Sequence, residues 1–238
     1  MNYTFTVADI ISHAQRRGAF DPDVLAESEP VRRIVGRNGT KADILFYDVD
    51  GERVAVKTYR PRGVVVRNTL GRWLIRRETT AYWAAAGVEE LPEFLGRLDP
   101  FTLATRWVDA APLKERVGAR LDDVLFDRLE TVLDELHERG VALADLHHRD
   151  VLLGKDDALY VVDLATAWVL GDRPGAARRL LFKRFCESDR VNLARMRARF
   201  TGGDIEKAVS SVSPEAAAWH RRGRRVKGFF NRLRGKGR

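Results

Sequence analysis

The sequence predicts an α+β chain, a run of strands with one helix among them followed by mostly helical segments. Three observations carry that expectation. Runs of strand character at 31–35, 42–49 and 53–59 follow one another with turn signals between them, the second junction being Asp50-Gly51. A helical run at 70–86, stopped by Gly87, comes next, and two more strand-like runs at 91–98 and 101–108 complete the sheet. From residue 121 the apolar residues fall at helical spacing, interrupted by one folded-back hairpin at 140–166. With 238 residues and 45% hydrophobic content, the chain can bury a sizeable core in one medium domain or two small lobes, and disorder is excluded as its overall state.

In chain order, the pattern at residues 4–18 predicts a short helix with Val7, Ile10, Ile11 and Ala14 on one face, and Asp21-Pro22-Asp23 is expected to mark a turn. Between the first two strands lies Gly36-Arg37-Asn38-Gly39-Thr40. Its two glycines either let backbone N–H groups approach phosphate oxygens or serve an ordinary hairpin. On the third strand Val54 and Val56 share one face, so Ala55 and Lys57 share the other; Lys57 points into a cleft or stands on an exposed edge. Glu78, twenty-one residues later in the helix, either pairs with Lys57 or is one more solvated charge beside Arg76 and Arg77. At 121–139 the residues Leu121, Val124, Leu125, Leu129, Val132, Leu133 and Leu136 form a core stripe, with His137 near the helix end.

The segment 140–166 carries the chemistry. Asp145 sits in a polar turn after that helix and Asp150 follows five residues later; strands at 151–153 and 158–162, joined by the Gly-Lys-Asp-Asp turn, then deliver Asp163. Three carboxylates so grouped repel one another unless a cation or proton is shared. Hard oxygen ligands favour Mg²⁺, which commonly keeps phosphates among its other ligands, so the expected chemistry is phosphoryl transfer.

The pattern D-L-H-H-R-D-V-L-L from Asp145, then seven residues, then V-V-D-L-A resembles the D-x-x-x-x-N and D-F-G signatures of kinase-like phosphotransferases. It is similar in particular to the small bacterial lipopolysaccharide-core kinases that phosphorylate Kdo or heptose, over residues 31–200. The resemblance implies a two-lobed protein-kinase-like fold: an N-terminal lobe at 1–109, a C-terminal catalytic lobe at 110–212 and a tail at 213–238. It implies ATP and Mg²⁺ as cofactors and a glycolipid or sugar acceptor. The strand Val54-Ala55-Val56-Lys57 resembles the family's V-A-I-K strand, so Lys57 would pair with the α- and β-phosphates and Glu78 would hold it. Gly36 and Gly39 would border the phosphates, Asp145 would engage the acceptor hydroxyl, and Asp150 and Asp163 would hold the metal. Residues 106–109 fall at the interlobe hinge. The chain departs from the family in having Asp150 where most relatives have asparagine, Leu143 for a histidine, and Leu164-Ala165 for Phe-Gly. These departures keep open a catalytically weak pseudokinase acting as a binding module at the membrane, and fold analogy with the basic tail keeps open a RIO-like Ser/Thr kinase. No long activation segment follows Asp163, which counts against a protein substrate.

The net charge of +8 is unevenly placed. Residues 215–238 hold nine Lys or Arg and one Glu, and residues 176–200 hold eight basic against two acidic residues. The arginines at 174–200 either solvate an outer helix face or border an acceptor that carries phosphate or carboxylate. Gly202-Gly203 and Ser210 to Pro214 supply breaks, after which Trp219, Val226, Phe229, Phe230 and Leu233 are expected on one side of a basic amphipathic helix whose other side is arginine and lysine, which suits an anionic membrane surface; nucleic-acid binding and a merely solvated tail are the alternatives. The single cysteine, Cys186, excludes an intramolecular disulfide and reads as a small buried residue. Without an apolar run of membrane length, the expected location is the cytoplasm, or the inner face of the membrane as a peripheral protein.

Overall fold

The computed structural model describes residues 29–49, 51–116 and 120–213; the expected helix at 4–18, the Asp21-Pro22-Asp23 turn, Asp50 of the hairpin signal and the tail after residue 213 lie outside the described residues. The fold is mixed α+β, built on a five-stranded antiparallel sheet. Its strands are β1 (Arg32–Ile34), β2 (Asp43–Val49), β3 (Glu52–Thr58), β4 (Phe94–Asp99) and β5 (Thr102–Arg106), in the order β1-β2-β3-β5-β4. Gly51, at φ +84°, supplies the left-handed residue of the tight β2–β3 turn. Period-two alternation then sorts the side chains. Val54 and Val56 join Leu45, Tyr47 and Ala104 in a cluster on one face. Lys57, opposite Leu103 in the β3–β5 register, belongs to the other.

That second face is covered by α1, a continuous helix at 64–84 made of Val64–Val66, a π-helical turn Arg67–Gly71 and the α-helix Arg72–Ala84. The helix therefore starts six residues before the expected 70. Gly71 explains the tight seat: a Cβ there would stand 2.8 Å from Tyr59 Cβ and 2.9 Å from Cγ, so only glycine lets α1 approach the end of β3 this closely. Ile75 packs with Tyr59 and Leu103, and its near neighbour Glu78 is carried to the level of Lys57.

The rest of the chain builds the support of the hairpin. A short β6 (Ala110–Pro112) and a 3₁₀ turn precede α2 (Asp123–Glu138), whose Asp122 cap accepts the Val124 N–H at 3.1 Å. After β7 (Val141–Ala142) come β8 (Val151–Gly154) and β9 (Leu159–Val161), then β10 (Trp168–Val169), α3 (Ala176–Thr201) and α4 (Ile205–Val212). β6, β8 and β9 form a three-stranded sheet, and β7 pairs with β10. One apolar core joins α1 (Ala81, Tyr82), α2 (Phe126, Leu129, Leu133, Leu136), the hairpin (Val151, Val161) and α3 (Met196, Phe200).

Two expectations change. Val124 is not in the core stripe: it lies in the capped first turn of α2, 59% exposed, and the fully buried Phe126 takes its place. Ser210 and Ser211 are not a break but lie within α4, which Asp204 starts by accepting the Glu206 and Lys207 N–H groups and which packs Val209 on Val191.

The sheet has its own electrostatic pin. Asp43, with no exposed surface, accepts the Gly36 N–H at 2.9 Å and ion-pairs with Arg33 at 2.7 Å and with Arg62. Burial alone would raise its pKa, but the Gly36 N–H and the two guanidinium groups hold it below the ordinary value of 3.8. A depressed carboxyl pKa gives stability that is present above the ordinary value and is lost as pH falls through the lower, folded one. Asp43→Ala is expected to cost about 3 kcal/mol at pH 7, with the difference from wild type shrinking in urea titrations below pH 3.8. Equal stability of the two proteins at pH 7 would refute the pin.

Candidate active site

Lys57, Glu78 and Asp163 meet, although they come from β3, α1 and the end of the hairpin. Lys57 Nζ lies 2.8 Å from Glu78 Oε2, 3.1 Å from Oε1 and 2.6 Å from Asp163 Oδ1. The Lys57 and Glu78 side chains are only 15% and 3% exposed, whereas Asp163 is 48% exposed and forms the solvent side of the group. Burial pulls the Lys57 ammonium down, but the two carboxylates more than reverse this and hold it above the ordinary lysine value. Lys57 in turn keeps the Asp163 carboxyl below the usual range, while burial pushes the Glu78 carboxyl up. The lysine is thus a fixed, fully charged cation held between two carboxylates.

The β8–β9 register brings the second metal candidate beside the first. Val151 pairs with Val161, and the Val162 N–H donates to the Asp150 carbonyl at 2.8 Å, so Asp150 stands across from the residue that precedes Asp163. Burial, then the charges of Asp163 and Asp145, push the Asp150 carboxyl up to about 7. The three carboxylates therefore share one end of the hairpin closely enough to disturb one another. They form no closed cage, since no group of three or more His, Cys, Asp or Glu among the described residues could hold a metal ion. Asp150 and Asp163 suit Mg²⁺ as a pair whose remaining positions are left to phosphate and water oxygens, and a divalent cation there would relieve the crowding that raises Asp150.

Backbone strain collects at the same place. Ala144 (φ +66°) and Asp163 (φ +65°, ψ +67°) are both left-handed without being glycine, and each sets the direction of a site carboxylate, Asp145 or Asp163 itself. Asp145 is exposed, with Leu146 buried beneath the loop. His147 and His148, ring centroids 4.1 Å apart, follow it. Burial and nearby positive charges lower both, His148 to about 4, so neither adds a cation at neutral pH.

One residue of the site has no counterpart in the sequence reading. Asp189 of α3, fully buried, accepts the Leu143 N–H at 2.8 Å and faces His137 Nε2 at 3.0 Å. It ties the start of the Asp145 loop to the helical core. Asp189 thus meets residue 143 through the backbone N–H, and the Leu143 side chain is buried apolar packing. The only sequence signal was a lone Glu-Ser-Asp among the arginines of α3.

The glycines fare differently. The Gly36 N–H is already given to Asp43, and a Cβ at Gly36 would stand 2.5 Å from the Lys41 carbonyl oxygen and 2.7 Å from that of Ala42. Its glycine is required by this packing, and its amide is not available to a phosphate. Gly39 lies at an open turn whose Asn38 side chain accepts the Thr40 N–H and hydroxyl. No protein-family model and no curated protein matches the chain. Its functional reading therefore rests on geometry.

Removing the anchor tests the loop. Asp189→Ala is expected to lose about 2–4 kcal/mol by leaving the Leu143 N–H buried without an acceptor, and hydrogen exchange should show the Leu143 amide losing protection beyond the global change. Unaltered relative protection of that amide would refute the anchoring role.

Proposed function

We propose that the chain is an ATP- and Mg²⁺-dependent phosphotransferase on a two-lobed, protein-kinase-like fold, with a sugar hydroxyl of a membrane-borne glycolipid as acceptor. The observation that carries this reading is Lys57 held between Glu78 and Asp163, with Asp150 beside Asp163 and an exposed Asp145 on the adjoining loop. On this reading the five-stranded sheet with α1 is the first lobe, and the elements from 110 to 212 form the second. The acceptor class is drawn from the resemblance of the Asp145–Ala165 pattern to lipopolysaccharide-core kinases.

When bound, MgATP supplies the phosphoryl group and the cation that offsets charge on the transferring oxygens. Lys57, fixed in one rotamer by Glu78, presents its ammonium to phosphate oxygens. Asp150 and Asp163 would hold the metal through carboxylate oxygens, which would free the Lys57 ammonium from Asp163 for the phosphates. Asp145, on the solvent side of the loop, orients the acceptor hydroxyl and accepts its proton as the oxygen becomes a nucleophile. Substituting aspartate for asparagine at 150 keeps an oxygen ligand and adds charge. Among the described residues no helix is long and apolar enough to cross a membrane.

A second reading, a nucleotide-binding pseudokinase, is favoured by the turn after Asp163: Leu164 and Ala165 are buried where the D-F-G signature has phenylalanine and glycine. Both readings meet in one experiment. Calorimetric titration should give Mg²⁺-dependent ATP binding to wild type that is lost in Asp163→Asn; binding retained by that variant would refute the metal assignment. Asp145→Asn should keep ATP binding but lower phosphate transfer to a glycolipid sugar by about 10²–10⁴-fold. Transfer undetectable with wild type itself, across Kdo- and heptose-containing acceptors, would turn the reading to the pseudokinase.

A further inference from the structure

A second concave site lies away from the Asp145 loop, between α1 and the β10–α3 junction. It is a groove of about 320 Å³ walled by Trp73 and Trp168 and bordered by Arg76, Arg77, Thr80 and Arg178. Its charge is one-sided: three guanidinium groups line it and no carboxylate does. Arg77 gives Nε–H to the Ala167 carbonyl at 2.8 Å and Nη2–H to that of Thr166 at 2.7 Å, and Arg178 gives Nη2–H to the Val169 carbonyl at 2.7 Å. These bonds fix two of the forks in place and leave further N–H donors on each. The Arg76 side chain has no hydrogen-bond or ion-pair partner among the described residues. Arg77 also stacks over the Trp73 ring at 5.0 Å and Arg178 over Trp168 at 5.6 Å.

Two more features complete the polarity. The Trp168 Nε1–H is buried and has no acceptor among the described residues, an uncommon condition for an indole. The helix that carries Arg178 begins at Gly175 without a side-chain cap or an acidic residue in its first turn, so its positive end is uncompensated as well. Guanidinium forks match phosphate oxygens in pairs, whereas flat indole walls with a hydroxyl and a ring N–H suit the C–H face and hydroxyls of a saturated ring. The volume is at the lower end of small-molecule sites.

We propose that this groove binds a phosphomonoester carried on a polyhydroxylated ring, a sugar or cyclitol phosphate, with Arg76, Arg77 and Arg178 on the phosphate and Trp73 and Trp168 against the ring. The site stands apart from the Lys57 centre and does not depend on the phosphotransferase reading.

Calorimetry with the full chain tests it, using glucose 6-phosphate as a free ligand, glucose as its uncharged counterpart, and phosphatidylcholine vesicles containing phosphatidylinositol 4-phosphate as the membrane-borne form. Wild type should bind glucose 6-phosphate saturably and leave glucose unbound. The surface double substitution Arg76→Ala/Arg178→Ala, checked for an unchanged melting curve, should weaken binding by about tenfold or more. Trp73→Ala should weaken glucose 6-phosphate while leaving the weaker binding of inorganic phosphate unchanged. Asp163→Asn should bind as wild type does. Binding to the vesicles alone, lost in the double variant, would assign the same site to a membrane-borne source. The proposal is overturned if wild type binds neither probe, if the double variant binds as tightly as wild type, or if Asp163→Asn abolishes binding, which would move the ligand to the Lys57 centre.

Discussion

The fold turns on one buried cation. Lys57 has little contact with water, and an ammonium in that position is tolerable only with carboxylates beside it. Glu78 and Asp163 provide them from two other elements, so sheet, helix and hairpin are fastened at a single point. Each partner has a separate reason to be within reach. Gly71 lets α1 settle against Tyr59, which fixes the height of Glu78, and the β8–β9 register fixes Asp163. Arg77, the neighbour of Glu78, then holds the carbonyls of Thr166 and Ala167 just beyond Asp163. Helix and hairpin end are thus tied twice, once by charge inside and once by hydrogen bonds at the surface.

Two buried aspartates do comparable work farther out. Asp43 draws Arg33, Arg62 and the Gly36 amide together and closes the turn between β1 and β2. Asp189 reaches from α3 to the Leu143 amide and sets the origin of the loop that presents Asp145. In both cases a carboxylate satisfies a backbone N–H that would otherwise be stranded, and in the second the strained residue that follows, Ala144, is held in place by that anchor. Loop geometry is therefore set from within the helical core and not by the exposed residues that face the cleft.

Much of this was legible in the sequence, for reasons that differ by residue. Strand alternation put Lys57 on the face away from Val54 and Val56, and the Asp50-Gly51 signal fixed the β2–β3 register, so the direction of the lysine followed from period two alone. The hairpin at 151–162 followed from its own local turn. Helix phase was less secure: the stripe through Val124 looked continuous, but the Asp122 cap turns the first helical turn outward and Phe126 fills the core. Gly36 was visible as a required glycine, yet its reason is a carboxylate seven residues on, which no local pattern announces. Asp189 was the hardest to see, since its partner is a backbone amide 46 residues away and backbone groups leave no mark in a sequence.

Charge sorting is the further consequence of these ties. At the end of the β8–β9 hairpin three carboxylates share a site with one lysine, enough to raise Asp150 toward neutrality. Across α1, the groove beside Trp73 and Trp168 holds three arginines and no carboxylate. Side chains free to move would have neutralised one another, as surface pairs such as Arg197 of α3 with Asp123 of α2 do. Here they cannot. Asp163 is held by Lys57 and by its own left-handed backbone, while Arg77 and Arg178 are held by carbonyls. Among the described residues, a rigid arrangement thus keeps negative charge in surplus on one side of a helix and positive charge in surplus on the other. On the readings proposed above, a hard cation would answer the first surplus and a phosphate the second.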